Sequence, residues 1–483
     1  MVNRIKQLEK LSHALEPNAE ERAFLLEKVT RYANSLLENI NHVPAYCTTK
    51  DEGIGLYDSP ISEEPIGIDT ALNLIKQNVD RPGVNVGSGG YLCFIPGSGL
   101  YHSALADYIA AVTNRYAGVY FASPGAVRME RMLLRWIADF IGYPESAAGD
   151  LTSGGSIANI IGIVTARDAH DLKAKNFERS VVYLTKQAHH SIEKALRIAG
   201  LKECIRRFIP LDEHYRMKAE ALEQAILNDK KSGLNPWLIV AAAGTVDTGA
   251  VDPLDSIVDI SKAYQLWLHV DGAYGGAFTL CDMGKKILKG IERSDSMIID
   301  PHKGLFLPFG TGAVLVKDGE KLRQAHYYEA SYLQDTEKLA SSDEISPAEL
   351  SPELSRHFRG LRLWLPLKLI GVAPFRAALK EKLLLARYFY EKMQNIDGFE
   401  LGPYPDLSIV TYRYIPKRGD VNKFNQQLNH AVQKDGRIFL SSTMIDGKFT
   451  LRLAVLGFRT HLDRIDQAIE ILQEKVKEIE VLK

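Results

Sequence analysis

The sequence is short of cysteine, of unbalanced charge and of long apolar runs. Its four cysteines, Cys47, Cys93, Cys204 and Cys281, lie too far apart for metal-ligand spacing and read as reduced thiols rather than a disulfide framework. No metal site is expected. Lys plus Arg number 59 against 60 for Asp plus Glu, a formal net charge of -1, so nothing favours capture of nucleic acid or an anionic membrane. No stretch approaches the roughly 20 apolar residues of a membrane span. Residues 1–29 carry charges throughout and lack the apolar core of a secretory signal. Repeats and low-complexity tracts are absent too. These absences predict a cytoplasmic protein of 483 residues with two or three domains.

What is present changes character along the chain. Leucines at helical spacing among charges in the first 40 residues predict amphipathic helix. Residues 101–143 predict two further helices around an irregular "VYFASPGAV". Then "VVYL", "WLIVAAA", "LWLHV", "SMIID" and "GAVLV" alternate with helical patterns. Runs apolar on both faces and separated by helices predict a mostly parallel sheet covered on both sides, an α/β architecture. Further on, "SIVTYRY" and "FTLRLAV" read as strands with a helix between them. A terminal helix presents Ile465, Ile469, Leu472, Val476 and Ile479 on one face, with Thr460 and Asp463 as its capping box. The expected division is a helical segment 1–117, a large α/β domain 118–370 and a small α+β domain 371–483. Residues 333–353 lack periodicity and contain two prolines; a loop of that length in a compact domain is more often functional than idle.

In a parallel sheet, ligands collect at the carboxyl ends of strands, so the residues after each apolar run belong together. "TSGGSIAN" at 152–159 opens a helix with glycines and small hydroxyls, which suits a phosphate or merely a tight turn. In "KQAHHSIEKA", His189 or His190 could stack on a planar ligand, or be an ordinary loop histidine. "LHVDGAYGG" ends a strand on Asp271, a partner for a cationic ligand atom or a helix cap. "IIDPHKGLF" puts Asp300, His302 and Lys303 after another buried run, where an unpaired lysine costs several kcal/mol unless it snorkels, pairs or reacts. A phosphate cradle, an imidazole, a strand-end acid and a strand-end lysine together fit pyridoxal phosphate, which takes a lysine imine and an acid on its pyridine nitrogen.

With these stretches in hand, the sequence resembles the group II pyridoxal-phosphate-dependent amino acid decarboxylases, the family of aromatic amino acid, histidine and glutamate decarboxylases. The matching runs are "TSGGSIAN", "QAHHSIEKA", "AAGTVDTGAVDP", "LHVDGAYGG", "DPHKG" and "SRHFRGLRLW", in chain order. The resemblance implies the fold type I architecture of aspartate aminotransferase and decarboxylation of an L-amino acid to an amine. It implies that Lys303 forms the imine, Asp271 pairs with the pyridine nitrogen, His189 stacks on the ring and Ala273 packs beneath it. Gly155, Ser156 and His302 would bind the phosphate, with Thr245 near the ring hydroxyl. Arg452 matches a position that can meet the substrate carboxylate in glutamate-type members. Phe94, Pro96, Tyr120 and Phe121 match segments that line the substrate pocket and lean toward an aromatic or apolar side chain. A homodimer is implied, its N-terminal segment wrapped around the partner and its active sites at the interface.

Two departures stand out. Aromatic amino acid decarboxylases carry a proton-donating tyrosine in a mobile loop; counting back from "SRHFRG", its place falls on Pro347. Members without that tyrosine can release an aldehyde, so a decarboxylating aldehyde synthase is the alternative, with another fold type I lyase or transaminase beside it. Gly304 stands where many members have tryptophan.

Overall fold

The computed structural model describes residues 1–50, 52–95, 97–328 and 344–481. Helices α1 (Val2–Ser12) and α2 (Ala19–Asn39) lead the chain, the second entered through a capping box of Asn18 and Glu21. Leucines recur along both, yet neither helix buries a residue. The two-residue strands β1 (Tyr46–Cys47) and β2 (Gly83–Val84) pair antiparallel, with α3 (Ile68–Ile75) between them. Helices α4 (Tyr101–Thr113) and α5 (Pro124–Ile141) follow, as the periodicity predicts.

A seven-stranded sheet forms the centre, from β3 (Ala148–Thr152), β4 (Ser180–Leu184), β5 (Ile205–Phe208), β6 (Asn235–Ala242), β7 (Trp267–Asp271), β8 (Ser296–Ile299) and β9 (Gly312–Val316). Its order is β3-β9-β8-β7-β6-β4-β5, and only β9 runs against its neighbours. The five runs that read as strands are all present. β3 and β5 complete the two edges.

Alternation along the strands divides the interior in two. Val181, Tyr183, Leu268, Val270, Met297 and Ile299 join one core, while Val182, Leu184, Trp267 and Ile298 join the other. The second core is covered by α6 (Gly155–Ala169) and α7 (His190–Ile198), which contribute Ala158, Ile161, Ile192 and Leu196. His269 and Asp271, in register with Trp267, therefore face α6.

The C-terminal part has its own antiparallel sheet, ordered β10 (Phe399–Leu401), β11 (Ile409–Tyr414), β13 (Lys448–Ala454) and β12 (Ser441–Ile445). Helices Ala373–Met393, Val421–Asp435 and Leu462–Val481 pack on it around Phe389, Tyr412, Phe424 and Ile465. The expected cap of the last helix is not formed. Thr460 is fully buried and its hydroxyl donates to the Gly89 carbonyl at 2.9 Å, which ties this body to the segment before α4.

Candidate active site

Strands β3, β4, β6, β7 and β8 share one direction, so their carboxyl ends open at one edge of the sheet, and each delivers polar groups there. After β3, Gly154 adopts φ 155°, and α6 begins at Gly155 without a side-chain cap, so its first amides stay free for an anion. A Cβ on Gly155 would lie 2.9 Å from Asp300 Oδ2, so glycine allows the cradle to sit against the turn that follows β8. After β4, His189 caps α7: its Nδ1 accepts the Ser191 N–H at 3.2 Å and lies 2.7 Å from Ser191 Oγ. After β6, Thr245 is buried, with its hydroxyl 2.9 Å from that of Thr248.

Asp271 closes β7. Its Oδ1 accepts the Ala273 N–H at 3.1 Å and its Oδ2 accepts Asn159 Nδ2–H at 3.3 Å. After β8, Pro301 starts the four-residue helix Pro301–Gly304, which turns Lys303 back over the strand end. Lys303 neither snorkels nor stands alone: its Nζ lies 3.1 Å from Asp300 Oδ2. His302 donates Nδ1–H to the Thr311 carbonyl at 2.7 Å and presents Nε2 to Asp300 at 3.8 Å.

Gly155, Ser156, His189, Thr245, Asp271, Ala273, His302 and Lys303, eight residues singled out from the sequence, line one cavity of about 300 Å³. Two buried acceptors in its wall, Asp300 Oδ1 and Gln187 Oε1, have no partner within the described protein, as suits a site shaped for a polar ligand. Burial, ahead of the opposing charge of Asp271, holds His189 below its usual pKa, so the ring is neutral at physiological pH. Free helix amides, an amine, a carboxylate and a flat neutral ring are the donor set that pyridoxal phosphate requires. Asn159, Ser191 and Gln187 also line the cavity without having been singled out; Asn159 follows Gly155 by four residues on the same helix, a spacing that places both on one face.

The remaining sequence candidates lie elsewhere. Arg452 is 2% exposed and is not among the residues lining this cavity; its guanidinium donates to the Asp247 carbonyl at 2.7 Å, to Ser441 Oγ at 3.0 Å and to the Val246 carbonyl, three bonds that tie β13 to β12 and to the loop after β6. Phe94 and Phe121 are exposed and Tyr120 packs under Arg128; none of the three lines the cavity of its own chain. Pro96 and residues 333–343 of the 333–353 loop lie outside the described residues. Pro347 is buried in a short turn, where Ala348 N–H donates to the Gly118 carbonyl and Tyr120 N–H to Ser346 Oγ, both at 3.0 Å. It borders a separate cavity with Glu130 and Asp150 rather than the one holding Lys303. Gly304 has a packing reason, because a Cβ there would come within 2.3 Å of Ala277 Cβ.

Comparison with known proteins agrees with this geometry. Residues 61–415 match the model of the pyridoxal-dependent decarboxylase conserved domain. The chain belongs to that family. An aromatic-L-amino-acid decarboxylase from Bacillus atrophaeus is 34% identical over 85% of the decarboxylase and 86% of the relative. A phenylacetaldehyde synthase from Petunia hybrida is 28% identical over 86% and 85%. Among solved structures, an Oryza sativa TDC with PLP and tryptamine superimposes with a TM-score of 0.90 at 24% identity, covering 96% of this chain and 99% of that one. The decarboxylase therefore has the fold type I architecture, pyridoxal phosphate is its cofactor, and it is a carboxy-lyase acting on amino acids.

Proposed function

We propose that the decarboxylase converts an aromatic L-amino acid to its amine and carbon dioxide, acting as a cytoplasmic homodimer. The observation that carries this reading is the convergence of Lys303, Asp271 and His189 on one cavity at the strand ends. The aromatic substrate class is supported by the 34% identity with the Bacillus atrophaeus enzyme and by a tyrosine decarboxylase of Arabidopsis thaliana at 31% over 85% of the chain.

Pyridoxal phosphate, when bound, supplies an electron sink conjugated to the substrate α-carbon. Lys303 Nζ is the atom that would hold it covalently, and Asp300, 3.1 Å away, is the counter-charge that keeps this amine in place. The free amides of Gly155 and Ser156 take the phosphate, with His302 beside them. Asp271 would hold a proton on the pyridine nitrogen, which would deepen the sink. His189, a neutral imidazole, would cover the ring, and Ala273 and Thr245, which line the same cavity, would contact it.

Homodimer formation is supported by the apolar surface of the single chain. Tyr101, Leu105, Tyr108, Ile109 and Val112 are exposed along α4, near-continuous apolar surface of a kind that soluble proteins cover. Phe94 and Phe121, exposed as well, would then face the partner's cavity as substrate wall, and residues 1–117 would wrap the partner while 118–370 hold the cofactor and 371–483 form the small domain. The cytoplasm is supported by four free cysteines.

A second reading, oxidative decarboxylation to an aldehyde, is favoured by Pro347 at the place of the loop tyrosine and by the likeness to a phenylacetaldehyde synthase. Aerobic incubation of the holoenzyme with L-tryptophan, L-tyrosine and L-phenylalanine separates the two. Amine equal to carbon dioxide without peroxide supports the first reading. Aldehyde, ammonia and peroxide together support the second, and no carbon dioxide from any of the three overturns the aromatic substrate class.

A further inference from the structure

We infer that His269 and Asn159 form a buried positioning relay that orients Asp271 toward the cofactor and, through Ser191, fixes the tautomer of His189. The inference rests on the cofactor roles proposed above for Asp271 and His189.

The direction of every hydrogen bond in this chain follows from chemistry. An ionised Asp271 can only accept, so the Asn159 amide must turn its Nδ2 toward it, at 3.3 Å, and its Oδ1 toward His269 Nε2, at 2.9 Å. That oxygen also only accepts, so His269 carries its proton on Nε2. His269 Nδ1 is then an acceptor, filled by Ser296 Oγ–H at 2.8 Å, and Ser296 Oγ in turn accepts Trp267 Nε1–H at 2.8 Å. On the other branch, Asn159 Nδ2 donates to Ser191 Oγ at 2.9 Å, and Ser191 Oγ–H completes the pair of donors on His189 Nδ1. The His189 proton is left on Nε2. One relay thus reaches both side chains proposed to grip the cofactor ring.

The interior is shaped around it. His269 is 0% exposed, and burial holds its pKa down at about 4, so it stays neutral and passes no charge to Asp271. Asp271 is the charge that acts on His269, and it also acts on His189, which His190, Lys303 and Asp300 reach as well. Gly162, inside α6, is the second mark: a Cβ there would come within 2.6 Å of His269 Cε1. A helix-interior glycine is disfavoured relative to alanine, and here it makes the space that the imidazole occupies.

A histidine that merely fills the core would affect stability but not the electronic state of the cofactor. The test is therefore the nitrogen-15 signal of ring-labelled pyridoxal phosphate bound to the full-length holoenzyme at a fixed, near-neutral pH. In the wild type the signal should be that of a protonated pyridine. His269→Leu, which removes the relay donor, and Asn159→Ala, which removes the donor to Asp271, should each move it at least a third of the way toward the neutral form. Each should also weaken cofactor binding by about tenfold in equilibrium dialysis. His269→Gln keeps a donor where Nε2 was and should retain the wild-type signal. If the leucine variant fails to fold, Asn159→Ala decides alone. A loaded variant of either kind with the wild-type signal overturns the relay, whereas a wild type that takes up no cofactor overturns the functional reading beneath it.

Discussion

Lys303 lies 3.1 Å from a carboxylate whose second oxygen is buried without a partner among the described residues. Lys303→Ala should abolish the absorption band of lysine-bound cofactor and reduce turnover at least a thousandfold; a near-normal rate would remove Lys303 from the chemistry. His269 makes a prediction about acid. Its folded pKa of about 4 lies below the ordinary 6.5, so the unfolded chain binds that proton more readily. The stability it contributes is complete above about pH 6.5 and declines as pH falls toward 4. Between pH 7 and pH 5 the wild type should lose roughly 2 kcal/mol more than His269→Gln, read from urea denaturation at each pH. At this scale the contiguous motifs were legible, because a strand end puts its own next residues into the site. His269 was not singled out although it lies two residues before Asp271, and the two share a strand face. The surroundings of Arg452 were not legible, because a sequence does not reveal which main-chain carbonyls an arginine will meet, here those of 246 and 247.

Helix α6 carries the anion cradle at its first turn, Asn159 one turn further on and Gly162 against the imidazole. Helix propensity alone favours Gly162→Ala by about 1 kcal/mol. The 2.6 Å approach to His269 reverses the sign, so this substitution should destabilise the protein by about 1–3 kcal/mol and loosen cofactor binding; a stabilised variant would show that the ring has room to move. Strands apolar on both faces were legible because burial on two sides leaves no polar alternation. β3 and β5 were not: "AGDLT" has few β-branched residues and "IRRF" carries two charges, and both are edge strands. Thr460 looked like a helix cap from spacing alone, yet a buried hydroxyl takes whichever acceptor the packing offers, here Gly89.

At the scale of the whole molecule, the exposed faces of α1, α2 and α4 are the surfaces that the proposed homodimer would cover. Charge reversal in the middle of the α4 face, with Leu105→Glu and Ile109→Glu combined, should shift sedimentation from dimer to monomer and cost most of the activity with little change in circular dichroism. A wild type that sediments as a monomer at micromolar concentration would remove the homodimer from the reading. The succession of helices, a mostly parallel sheet and a later antiparallel sheet was legible from the change in periodicity, since the three patterns occupy separate stretches. The pairing of β3 with β9 was not, because nothing local in either segment specifies a partner more than 150 residues away. That pairing has a bearing on assembly during synthesis. The segment proposed to cradle the anion follows a strand whose one sheet neighbour among the described residues ends at Val316, roughly two-thirds of the way along the chain. A nascent chain released before that point has an edge strand with nothing to pair with, and so no fixed cradle. Cofactor capture is in consequence a late event, open only to chains whose central sheet is already closed.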